Sequence, residues 1–163
     1  MSVSFKYFPD VFADLIERTK AQIPDLNIKF EYGTYLELTM MRQKKDNNQI
    51  EKYPLIWLVW DKDNNQQSWI EPCMYKISPR FFICSLTNQD YTTSQRYDNV
   101  FKPVLYPIFD ALMEEMNYYA NIILENNFTY TVTDHPFWLK EELPLDKLSA
   151  IEVKLENITL IQI

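Results

Sequence analysis

Between Tyr91 and Tyr118 the chain reads YTTSQRYDNVFKPVLYPIFDALMEEMNY. Its apolar residues recur every three or four positions: Tyr97, Val100/Phe101, Val104/Leu105, Ile108/Phe109, Leu112/Met113 and Met116. That is the period of a helix with one apolar stripe, and such a stripe has to be buried against something flat and apolar. The alternating segments on either side supply it, so the spacing predicts a helix over 94–118 packed across one face of a sheet. Thr93 or Ser94 is the expected cap. Pro103 and Pro107 each remove a helix hydrogen bond, which predicts a kink or a restart at Pro103.

The rest of the chain fits that partner. Residues 9–23 form a first helix, with Pro9 at its start and Val11/Phe12, Leu15/Ile16 and Ile23 as its stripe. Asn27–Tyr32 alternates as a short strand ended by Gly33. Thr34 and Glu37 have the spacing of a capping box, giving a second helix over Thr34–Lys44. Tyr53–Trp60 (YPLIWLVW) is a continuous apolar run, the pattern of a central strand covered on both faces. Trp69–Ile77 and Arg80–Leu86 read as strands broken at Ser78-Pro79, and Asn126–Thr133 alternates Phe128, Tyr130, Val132. The last strand, Ser149–Ile163, slips phase at Glu156-Asn157, which predicts a bulge or bend there. The fold class is therefore α+β: an antiparallel sheet of four or five strands, one or two N-terminal helices and the long helix across one face. No repeat or low-complexity linker interrupts it, so 1–163 reads as one domain with 134–144 as a projecting loop.

Composition removes several functions. The chain has 163 residues and a net charge of −7, with 23 acidic against 16 basic side chains. Gripping a nucleic acid calls for a basic excess, so only passive proximity to DNA is compatible. The short basic run from Arg42 to Lys45 reads as the solvated end of a helix. There is a single glycine, Gly33, so no glycine-rich phosphate loop exists and turns fall to Asn, Asp and Pro. The longest apolar run, Pro54–Trp60, is too short for a bilayer, and the N-terminus has no signal-peptide pattern. Cys73 and Cys84 are expected as packed, reduced thiols, with a disulfide as the alternative.

No reaction chemistry assembles from these residues. His135 is the only histidine and has no nucleophile motif beside it. One histidine and two scattered cysteines do not make a protein zinc site. Asp61–Asn65 opens like a calcium loop, but Gln66 and Pro72 stand where glycine and glutamate are needed, so it reads as a turn. Glu114-Glu115 and Glu141-Glu142 are neighbours in sequence and point apart on a helix. No catalytic residue, cofactor or metal is expected. The aromatic run His135–Leu139 either folds back on the core or contacts another subunit, through Phe137, Trp138 and Leu139. The closing strand, with Ile158, Leu160, Ile161 and Ile163, poses the same question if it forms an open edge.

The element order resembles the head-to-tail connector and tail-completion (tail terminator-like) ring proteins of tailed bacteriophages, nearest to those of crAss-like phages. The residues carrying the resemblance are Tyr53-Pro54-Leu55-Ile56-Trp57-Leu58, Arg96-Tyr97, Phe101-Lys102-Pro103-Val104-Leu105-Tyr106-Pro107, and Asp146 with Ala150-Ile151-Glu152-Val153. The resemblance implies a structural virion protein rather than an enzyme. It implies a homo-oligomeric ring at the head–tail junction, twelve-fold on a portal or six-fold on a tail tube. Its partners would be the portal and other connector or tail proteins, and its assembly would take place in the bacterial cytoplasm. The alternative function is a small enzyme or ligand-binding module with an aromatic pocket.

Overall fold

The computed structural model describes residues 7–43, 52–60, 68–71, 74–88, 90–134 and 148–161. The first helix, α1 (Phe8–Gln22), has Pro9 in its first turn and buries Phe8, Val11, Phe12, Leu15 and Ile16 along one side. A short 3-10 turn, Pro24–Leu26, ends on Asn27 at φ 49°, the left-handed conformation that glycine usually supplies. β1 (Lys29–Gly33) follows, then α2 (Tyr35–Gln43). The α2 N-terminus is the expected capping box: the Glu37 amide donates to Thr34 Oγ1 at 3.2 Å, and the Thr34 amide donates to Glu37 Oε1 at 3.3 Å.

The next strands are β2 (Leu55–Val59), β3 (Ser68–Glu71), β4 (Met74–Ile77) and β5 (Arg80–Leu86). The segment expected as one strand, Trp69–Ile77, contains two paired antiparallel ones. Pro72 between them lacks the N–H that an unbroken strand would donate. After the long helix come β6 (Ile122–Asp134) and β7 (Leu148–Ile161).

All seven strands join one sheet, more than the four or five expected. β1 lies parallel to β2, with Lys29 beside Leu55 and Gly33 beside Val59. Parallel neighbours need a crossover, and α2 provides it. The remaining pairs are antiparallel. β7 is the spine: β5 runs along residues 148–154 and β4 along 158–161, while β6 pairs with 151–160 from the other side. The changeover between β5 and β4 is Ser78-Pro79, and opposite it β7 bends at Asn157, whose φ is 65°. There the Asn157 amide donates to Ser78 Oγ at 3.4 Å and its side chain to the Asn127 carbonyl at 3.0 Å. The phase slip at Glu156-Asn157 is this bend. On the β6 side it shifts the register between Leu124 and Thr129.

The long helix is continuous but changes pitch. Thr93–Arg96 (α3) is α-helical, Tyr97–Leu105 is π-helical and Tyr106–Tyr118 (α4) is α-helical again. Its cap is Thr92, one residue before the expected pair: Thr92 Oγ1 accepts from the Gln95 amide at 3.2 Å, and Gln95 Oε1 accepts from the Thr92 amide at 2.9 Å. The wider π turn contains Pro103, where an α turn would set the ring against the carbonyl of Asn99. The expected break is thus absorbed as a change of pitch. Val100, Phe101, Leu105, Ile108, Ala111, Leu112 and Met116 face the sheet, whereas Tyr97 is exposed and Phe109 half-buried.

Two apolar layers result. The larger holds α1 and the long helix against Ile56, Leu58, Phe81, Ile83, Ile151 and Val153. The smaller puts α2, through Leu38, over Leu55, Trp57, Phe82, Cys84 and Ala150. β2 therefore is covered on both faces, as its unbroken apolar run requires.

Candidate subunit interface

The residues expected at an interface separate into three groups. Ile158 and Leu160 lie in the chain's own core, 0% and 1% exposed. Ile161 is half-buried. Phe137, Trp138, Leu139 and Ile163 lie outside the described residues, as do His135, Asp61–Asn65, Glu141-Glu142 and nearly all of the 134–144 segment. The closing strand is therefore not an open edge. β7 has a neighbour on both sides at Ile151–Lys154 and again at Ile158–Leu160. Ile158 and Leu160 pack inward and are withdrawn as contact residues. Arg42 is also corrected: it is 5% exposed, so it is a buried side chain of α2 and not part of a solvated end.

The surface apolar residues sit elsewhere. Tyr130 on β6 is 52% exposed and touches Phe109 of α4 (ring centroids 5.9 Å) and Phe128 (6.1 Å). Tyr106 sits farther up the same seam, in ring contact with Phe101 at 5.7 Å and Tyr97 at 6.2 Å. Its hydroxyl donates to Asp134 Oδ2 at 2.8 Å, tying the start of α4 to the last residue of β6. Burial, then the hydrogen bond to Asp134, pushes the Tyr106 hydroxyl up to about 12, so it stays protonated and donating. The result is a half-open aromatic shelf along the helix–β6 seam. On the opposite face, Leu36 and Met40 of α2 are exposed one turn apart.

The β6–β7 side facing away from the long helix is polar. Thr129, Thr131 and Thr133 stand beside Glu156, Lys154 and Glu152. Glu152 is held by Arg80 Nε at 3.1 Å and Lys154 Nζ at 3.3 Å, and the Arg80 guanidinium lies over the Phe82 ring at 5.1 Å. Those contacts explain how a carboxylate only 8% exposed stays in the sheet.

No protein-family model and no curated protein sequence matches this chain. The site therefore rests on its own geometry. Among the described residues, no group of His, Cys, Asp and Glu side chains could hold a metal ion. No described helix is long and apolar enough to cross a membrane. Glu115 accepts a hydrogen bond from Gln22 of α1, so this member of the Glu114-Glu115 pair serves a helix–helix contact. The exposed tyrosine shelf was partly legible, since Phe128, Tyr130 and Val132 alternate in the sequence. Which side of the strand would be open was not.

Proposed function

We propose that the chain is a non-enzymatic structural subunit of a ring at the head–tail junction of a tailed phage. The observation that carries this reading is the sequence resemblance, because its segments are also those the fold is built from. Tyr53–Leu58 runs into β2, Arg96–Pro107 spans the π-helical passage, and Ala150–Val153 lies in the first half of the central strand. The acidic balance supports the reading, because an anionic channel wall lets DNA slide rather than adhere. Ring contacts draw on aromatic side chains, with Phe137 and Trp138 as the leading pair.

Sedimentation of the purified subunit with purified portal tests the reading. The wild-type chain is expected to co-sediment as a closed ring, twelve-fold on the portal. Trp138→Ala is expected to stay folded and remain in the light fractions. A wild-type subunit that never joins a portal or a tail tube would overturn the proposal.

A further inference from the structure

Besides β1 and β3, β6 is an edge of the sheet, and its sequence is self-complementary. Among the described residues, β6 pairs only with β7. Its second half, Phe128–Asp134, is nevertheless strongly strand-forming, with Thr129, Tyr130, Thr131, Thr133 and Asp134 exposed and Phe128 and Val132 partly buried. Natural edges are usually guarded by lysine, proline or a bulge. Here the register shift lies before Thr129, and Phe128–Thr133 contains no charge and no proline. The chemistry of the two faces is segregated. Phe128, Tyr130 and Val132 form the side toward the long helix, where Tyr130 meets Phe109. Thr129, Thr131 and Thr133 form the other side.

We infer that β6 pairs edge-to-edge with β6 of a second copy of this chain, antiparallel about a two-fold axis at Thr131. With that register Thr129 faces Thr133 of the second copy, Thr131 faces itself, and Tyr130 faces Val132. Threonine meets threonine and aromatic meets β-branched, the cross-strand pairs that stabilise antiparallel sheets. No like charges are brought opposite one another within Phe128–Thr133, although each chain carries a net charge of −7. The two aromatic shelves then lie side by side on one face of a sheet continuous through both copies. The pairing does not rest on the ring reading. A two-fold contact closes on itself and cannot repeat around a ring, so it describes the free subunit.

Sedimentation equilibrium of the full chain from about 1 µM to about 1 mM should show a monomer–dimer equilibrium with no larger species. The discriminating variant is Thr129→Lys with Thr133→Lys. In each chain the new lysines lie beside Glu156 and Glu152 of β7, so the fold gains opposite charges. Across the two-fold they face each other, and dimerisation should weaken roughly tenfold or more. As a check independent of that variant's folding, Thr131→Cys should cross-link to itself under mild oxidation while Thr129→Cys, off the axis, should not. A wild-type chain monomeric throughout, a double variant that dimerises undiminished, or equal cross-linking of the two cysteine variants would overturn the pairing.

Discussion

Gly33 carries no left-handed backbone requirement; it is kept small by two neighbours. A Cβ there would come 2.9 Å from Glu37 Oε2 and 3.1 Å from the Trp57 ring. Glu37 can swing away only by abandoning its cap on Thr34, so Gly33→Ala is expected to destabilise by about 1 kcal/mol. In a Glu37→Ala background the same change should cost less, and urea melts of the four proteins of that cycle measure the coupling. Tyrosines set the alkaline limit. Burial raises the Tyr75 and Tyr106 hydroxyls to about 12, and burial with the 2.6 Å hydrogen bond to Asp14 raises Tyr119 as well. Above the unfolded value of about 10 the unfolded chain loses these protons first, so their stabilisation is present below pH 10 and lost as pH rises towards 12. Urea midpoints should fall across that window, and the fall should be shallower in Tyr75→Phe. A flat profile would contradict the burial of these hydroxyls.

Helices and their ends were the elements most legible in the sequence, because caps and stripes are local. Thr34–Glu37 is a capping box as read, and the T-x-x-Q signal at Thr92–Gln95 was present although Thr93 and Ser94 were favoured. The π-helical passage was not legible as such. Two prolines four apart announce a disturbance without saying that a wider turn will absorb it. Strand neighbours were the least legible feature, since pairing is decided by contacts distant in sequence. Ile158 and Leu160 alternate like residues of any strand, and nothing local says that β4 and β6 flank them. Removing residues 158–163 is therefore expected to unfold the sheet, giving insoluble or molten protein instead of a folded subunit that fails to assemble. Leu105→Ala and Leu112→Ala, both at 0% exposure, should each cost on the order of 2–5 kcal/mol. Tyr97→Ala, at an exposed position, should cost well under that. Chemical denaturation distinguishes these outcomes.

At the scale of the whole molecule, a seven-stranded sheet covered by two helical layers carries a net charge of −7, and Tyr97 and Tyr130 are among its exposed aromatics. With a net charge of −7 the chain is expected to show no retention of duplex DNA at physiological salt in a gel-shift assay. The α+β class and the helix across the sheet followed from periodicity alone. The assembly surface did not, because Phe137 to Leu139 stand in a segment whose apolar residues are equally compatible with folding back or reaching out. The central proposal is that this chain builds a ring between head and tail, and cryo-electron microscopy of tailed-phage particles assembled in cells that express this chain tests it most directly. The account predicts a closed ring at the head–tail junction into which the sheet, with β7 at its centre and the helix 93–118 across it, fits as one subunit per repeat. Particles complete at that junction with no density for this fold, and no peptides of this chain in their protein content, would contradict it.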